Sequence, residues 1–196
     1  MKYSASELAY TGVMAALVFI GTYCFKIPSP FGYTHLGDCM IILTVCLFGT
    51  KRGVLAGSLG AGIADFLSGY AVWVLPTMVL KGLWALVMGV VMYRLLPKYK
   101  YGWLVGAVCG GILHVAGYTL VKIPLYGTAV AFGELFTLTA QSCAGIVLGG
   151  LLCGGFLLKE GRLFYCLSGC PRRKSALRRE THFFVSCACV RSIKTV

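Results

Sequence analysis

A few polar side chains interrupt otherwise apolar stretches of this chain, and their types and spacing limit the chemistry open to them. Asp65 ends the run LAGSLGAGIAD, and Lys81 sits between LPTMVL and GLWALVMG. An uncompensated charge in the middle of an apolar layer costs at least ~2.5–3.5 kcal/mol, so each must face protein, water or an opposite charge. Two readings stand: a buried Asp65–Lys81 ion pair that fixes the helix arrangement, or one or both groups lining a solute cavity. His114 and Tyr118, four apart in LHVAGYTL, share one helical face and offer an imidazole and a phenol. A histidine satisfied in the interior is the alternative there. Glu134 and Gln141 also share a face, in AFGELFTLTAQSCAG. Glu134, near the boundary, reads as a solvated cap; Gln141, two turns deeper with several hydrogen-bonding positions to fill, is the better ligand contact. Trp84, three residues after Lys81, is placed to stack on an aromatic ligand, whereas Trp73 and Trp103 fit interface anchoring.

Reaction chemistry is not written in the motifs. The chain has no H-E-x-x-H, no G-x-S-x-G and no G-x4-G-K-[ST], so neither hydrolysis nor nucleotide use is expected. Of ten cysteines, Cys24, Cys39, Cys46, Cys109, Cys143 and Cys153 lie in or beside apolar runs, where Cys behaves as a small hydrophobe. Cys166, Cys170, Cys187 and Cys189, with His182 between the pairs, do not match the usual zinc spacings. No metal and no cofactor are expected.

The elements that must hold these groups follow from composition. Of 196 residues, 58% are hydrophobic and 12% charged, and mean hydropathy is +0.83. An ordinary soluble domain is closer to ~45–50% apolar and ~25% charged, so the expected solvent is a bilayer. Counting between charges gives six spans. Residues 8–25 form the first, read as retained because Glu7 sits just ahead of it and only Lys2 is basic. The second, 39–50, is short unless it also takes in HLGD. Residues 53–93 make two helices broken near Ser68-Gly69-Tyr70, followed by 101–121 and 135–158. With the N-terminus inside, Lys51, Arg52, Arg94, Lys98 and Lys100 fall on the cytoplasmic side and only Lys26 and Lys122 outside, so both termini are expected to be cytoplasmic. The runs do not alternate as a β-barrel would require. They carry Gly53-x3-Gly57, Gly106-x3-Gly110, Gly145-x3-Gly149 and Gly150-x3-Gly154, the spacing of close helix packing. The fold class expected is an all-α membrane protein, a six-transmembrane-helix bundle over residues 1–161.

Net charge is +12, of which residues 162–196 contribute eight Lys/Arg against Glu180. A basic tail beside a bilayer reads as a segment near anionic lipid, at roughly 1 kcal/mol per well-placed cation, rather than as a nucleic-acid binder.

The blocks IPSPFGYTHLGDCMIIL (27–43), FGTKRGVLAGSLGAGIADFLSGY (48–70), PTMVLKGLWALVMG (76–89) and GTAVAFGELFTLTAQSCAG (127–145) resemble the substrate-binding S component of an energy-coupling-factor (ECF) vitamin transporter, in the riboflavin-type branch. The resemblance covers roughly residues 5–160. It implies six helices, capture of a vitamin from outside under a lid-like first external loop, delivery by toppling in the membrane, and no ATPase in this chain. The partners implied are a transmembrane coupling subunit and two cytoplasmic ATPases. The family's small-x3-small motif for the coupling subunit is matched by Thr11-x3-Ala15 and Gly12-x3-Ala16; helix packing within the bundle is the alternative use. A solute site needs a few oriented polar groups among apolar and aromatic walls. Lys81, Trp84, His114, Tyr118, Glu134 and Gln141 are the expected contacts, with His35, Asp38 and Asp65 shaping the entry and the second helix. Riboflavin, a hydroxymethylpyrimidine or a B6-like ring are the substrates considered. A self-sufficient carrier and an intramembrane enzyme using Asp65, His114 and Glu134 are the rivals. After about Gly161 the chain departs from the family pattern, and that tail is expected to be dispensable for binding.

Overall fold

The break expected near Ser68-Gly69-Tyr70 becomes a helix end in the computed structural model, which describes residues 5–29, 32–99 and 101–159. Helix α1 (Ala5–Tyr23) is followed by an antiparallel hairpin, β1 (Lys26–Ser29) and β2 (Gly32–His35), with Lys26 opposite His35 and Ile27 opposite Thr34. Helices α2 (Gly37–Phe48) and α3 (Thr50–Leu67) come next. Helix α4 (Ala71–Val90) continues into one π-helical turn at Val91–Leu95, and α5 (Gly102–Tyr126), the short α6 (Thr128–Gly133) and α7 (Leu135–Lys159) complete the chain. Gly49 (φ 87°) divides α2 from α3 and Gly69 (φ 83°) divides α3 from α4, both in the left-handed region where a side chain is strained. The second break falls at the Ser68-Gly69-Tyr70 step expected from the sequence. The basic segment 162–196 lies outside the described residues.

Two features depart from the expected spans. Four stretches are long and apolar enough to cross a membrane: Ala5–Tyr23, Ala71–Leu95, Gly102–Tyr126 and Thr128–Gly154. Helix α2 has 12 residues, about 18 Å at 1.5 Å per residue, short of a hydrocarbon core of ~30 Å. Helix α3 carries Lys51, Arg52 and Asp65. Helix α5 also runs past the expected end at 121, because Lys122 is not a loop cation: it is buried on the helix and paired with Glu134.

Helix α2 is short because it is central. Residues 37–39 and 41–46 are all buried, the pattern of a helix apolar on every face. It packs on α7, α3 and α1, while α3 and α5 flank α4. The core comprises Met14 and Val18 of α1, Ile41, Ile42 and Val45 of α2, Ala56 and Ala61 of α3, Trp84 and Met88 of α4, Ala107 of α5 and Cys153 of α7. Glycines set the closeness of the seams. Gly145 and Gly149 of α7 rest on Asp38 and Ile42, and Gly106 and Gly110 of α5 on Met88 and Trp84. Outward faces remain apolar, with Leu8, Val13, Phe66, Leu75, Ile112 and Leu151 all more than half exposed, as lipid contact requires.

One polar knot ties α2, α4 and α7. Lys81 Nζ lies 2.5 Å from Asp38 Oδ1, both side chains fully buried, and Gln141 Nε2 donates to Asp38 Oδ2 at 2.8 Å. The Asp65–Lys81 ion pair, one of the two readings open for these groups, is therefore corrected. Asp38 sits on the buried central helix facing Lys81, whereas Asp65 lies in the last turn of α3 and accepts a hydrogen bond from Tyr33.

Removing one member of a buried pair leaves an uncompensated charge. Lys81→Met is expected to destabilise the bundle by about 3–5 kcal/mol, and Lys81→Met/Asp38→Asn to recover most of the loss in thermal unfolding of the detergent-solubilised protein. In the same assay Gly149→Val, whose Cβ would sit 2.9 Å from Ile42 Cγ2, is expected to cost about 1–3 kcal/mol by overpacking. Gly154→Ala, with nothing within 4 Å, is expected to be neutral or to stabilise by up to about 1 kcal/mol.

Candidate functional site

The hairpin covers one end of the bundle, and beneath it lies a cavity of about 60 Å³. The α5 and α4 walls are built by a repeat of four residues along the helix, which keeps side chains on one face. From α5, His114, Tyr118 and Lys122 point in; from α4, Trp73 and Thr77, following Tyr70 at its N-terminal boundary. Helix α7 adds Leu138 and Gln141, α3 adds Asp65, and the lid closes the top with Tyr33 and His35.

The aromatic groups stack on one another. Trp73 lies parallel to Tyr118 with ring centroids 5.7 Å apart and to Tyr126 at 6.2 Å, and its indole Nε1 donates to Tyr126 Oη at 3.2 Å. Tyr33 meets Tyr70 at 5.2 Å. Hydroxyls form a short relay at the lid side: Tyr118 donates to Thr77 Oγ1 at 2.9 Å, and Asp65 is hydrogen-bonded to Thr77 and accepts from Tyr33. On the hairpin, burial and then the Lys81 ammonium hold His35 well below the usual histidine range, so its ring is neutral at physiological pH.

Among the described cavity-lining residues, His114 is left unsatisfied. It is fully buried between Trp84 (4.8 Å) and Tyr118 (4.7 Å), yet neither ring nitrogen has a hydrogen-bond partner among the described residues. A buried polar group without a partner costs about 1–3 kcal/mol, which a guest presenting a complementary donor or acceptor removes.

The residues singled out from the sequence divide into two layers. His114, Tyr118 and Gln141 line the cavity, as do His35 and Asp65. Lys81, Trp84 and Glu134 stand behind the wall: Lys81 and Asp38 hold Gln141, Trp84 packs under His114 with its Nε1 bonded to Ala107 O at 3.2 Å, and Glu134 pairs with Lys122. Trp73 is a buried wall residue rather than an interface anchor, and Glu134 is a buried ion-pair member rather than a solvated cap. The lining residues not expected as contacts from the sequence are Tyr33, Tyr70, Trp73, Thr77, Lys122 and Leu138. Stepping by four from His114 and Tyr118 reaches Lys122, and stepping back by four from Lys81 reaches Thr77 and Trp73, so the signal was the spacing already in use.

The interleaved small-residue motifs of α1 point different ways. Thr11 is buried, with its hydroxyl bonded to Glu7 O at 2.7 Å, and the Ala15 backbone is the close neighbour of Gly60 of α3. Gly12 and Ala16 are exposed on the outer surface. Among the described residues no group of three or more His, Cys, Asp or Glu is placed to hold a metal ion.

Comparison with known proteins places this architecture. The family model for the ECF-type riboflavin transporter, S component, matches residues 2–157. A Pyrococcus woesei protein called an uncharacterized protein in gap 3'region is 38% identical over 146 residues, spanning 73% of this chain and 95% of that relative. Among solved structures, one described as "Structure and mechanism of the S component of a bacterial ECF transporter" aligns with a TM-score of 0.54 at 16% identity, over 83% of this chain and 97% of the other, a likeness of fold. A lipid-facing helical bundle that shelters a polar, aromatic cavity under a hairpin agrees with that match, and the chain belongs to the ECF-type riboflavin transporter S-component family, membrane substrate-binding subunits of vitamin transporters rather than enzymes.

Proposed function

We propose that this protein captures a small aromatic vitamin or vitamin precursor from outside the cell and delivers it as the S subunit of an ECF-type ABC importer in the cytoplasmic membrane. The observation that carries the reading is the cavity under the hairpin, with a buried, unsatisfied His114 among stacked aromatic rings. His114, Tyr118 and Gln141 contact the guest, with the rings of Trp73 and Tyr118 against its flat face. Lys81, Trp84 and Glu134, with Asp38, hold those groups in place, and His35 and Asp65 act at the entry. Energy comes from partners: a transmembrane coupling subunit and two cytoplasmic ATPase subunits. The coupling subunit docks on α1 through Gly12 and Ala16, whose exposure supports that use, while Thr11 and Ala15 set the inward face.

In this reading the chain crosses the membrane six times, with α2 and α3 as the shorter or more polar crossings and both termini in the cytoplasm. Support comes from charge. Lys51, Arg52 and Arg94 gather with Glu7 around one groove, while Lys26 lies on the hairpin. An excess of Lys and Arg marks the cytoplasmic side.

Purified full-length protein is expected to bind its vitamin in the absence of nucleotide, as read by calorimetry, and to support uptake in vesicles only with the coupling subunit and ATPases. Uptake by the isolated chain at full rate contradicts the proposal. His114→Phe, which removes both ring nitrogens, is expected to weaken binding by about tenfold or more, the equivalent of one lost buried hydrogen bond. Cys24, exposed beside the hairpin, is expected to react with a membrane-impermeant maleimide on intact cells, and Cys24→Ser to abolish that labelling; protection until lysis contradicts the orientation.

A further inference from the structure

Charge pairing inside the bundle leaves one carboxylate over. Of the buried carboxylates, Asp38 has Lys81 and Glu134 has Lys122. Asp65 lines the cavity, is 4% exposed, and has no ion pair among the described residues. Its hydrogen bonds come from the hydroxyls of Tyr33 and Thr77; a carboxylate has about four lone-pair positions, so roughly half its accepting capacity stays open. Its place on the helix deepens the demand. Asp65 lies in the last turn of α3, which holds no basic residue, and the C-terminal end of a helix carries the equivalent of about half a negative charge. Lys26 does not answer it: from the lid its ammonium donates to Ser68 Oγ and lies over the rings of Tyr23 (4.0 Å) and Tyr33 (5.1 Å).

The surroundings of this carboxylate are aromatic. Tyr33 and Tyr70 meet on one side, and Trp73 and Tyr118 stack on the other. Ring faces attract cations, by about 2 kcal/mol or more where water is excluded. The rings of Tyr33, Tyr118 and Trp73 already meet the ammonium groups of Lys26 (5.1 Å), Lys81 (5.6 Å) and Lys122 (5.9 Å), so the open carboxylate of Asp65 is the feature that selects a positively charged guest. His114 adds a donor at one ring nitrogen and an acceptor at the other, suited to a nitrogen heterocycle.

We propose that the guest is a cationic nitrogen heteroaromatic whose positive charge is received by Asp65, beside the rings of Tyr33, Tyr70, Trp73 and Tyr118. This rests on the reading of the cavity as the vitamin site, and the test separates the two.

Calorimetry on the purified full-length protein would compare matched probes. Pyridoxamine carries a side-chain ammonium where pyridoxine carries a hydroxyl, and thiamine carries a thiazolium that its neutral pyrimidine portion, 4-amino-5-hydroxymethyl-2-methylpyrimidine, lacks. Riboflavin is the neutral three-ring member. At least one cationic probe is expected to bind about tenfold or more tightly than its neutral counterpart and than riboflavin, and Asp65→Asn is expected to bring that ratio close to one. The wild-type ratio is informative by itself should the variant fail to fold. If neither cationic probe outbinds its neutral counterpart, or if riboflavin binds tightest, the charge assignment is overturned while the cavity remains a vitamin site. A preference that survives in Asp65→Asn also overturns it. If no probe binds, the cavity reading and the charge assignment fall together.

Discussion

The structure depends on matching charge where no water is available to do it. Asp38 and Lys81 are both fully buried and meet at 2.5 Å across the interior. Gln141 takes the second oxygen of the same carboxylate, so three helices far apart in sequence are held by one group. The Coulombic gain in such a pair is largely spent on desolvation, so its main effect is to specify an arrangement rather than to add stability. Displacing α2, α4 or α7 would leave a naked charge in an apolar interior. That penalty is large beside the dispersion energies that otherwise hold apolar helices together in lipid.

Site geometry follows from this anchor. Asp38 lies in the first turn of the central helix α2, directly after the hairpin, and thus fixes where the lid returns to the bundle. Gln141 and Lys81 place the faces of α7 and α4, and the Lys122–Glu134 pair joins α5 to the α6–α7 junction. Glycines at the contact seams bring α7 onto α2 and α5 onto α4 over their lower portions, with Gly149 over Ile42 and Gly106 over Met88. Toward the lid, large side chains such as Trp73 and Tyr118 line the walls, and there a cavity remains. Close packing below and an aromatic hollow above come from the same small and large residues distributed along the same helices.

Much of this was legible in the residues alone, and the parts that were not share a cause. Helix breaks at Ser68-Gly69-Tyr70 and the face shared by His114 and Tyr118 depend on local rules, positive φ and the period of 3.6, which a single sequence carries. Partner choice is not local. Asp65 and Lys81 were the two charges most visible inside apolar runs, but Lys81 pairs with Asp38, which looked like part of an entry loop. Lys122 looked like a loop cation because its carboxylate, Glu134, lies beyond a turn and a six-residue helix. Trp73 looked like an interface anchor for a similar reason. The rings that bury it belong to α5.

The account holds that costly polar groups are kept inside this bundle in order to surround a guest beneath the hairpin. The most direct test is an experimental structure of the full-length protein purified with whatever small molecule it carries from the membrane. A flat density against the Trp73 and Tyr118 rings, within hydrogen-bonding distance of His114, is the result predicted. Bound density elsewhere, for instance in the basic groove of Arg52 and Arg94, with His114 closed against protein groups, would contradict it.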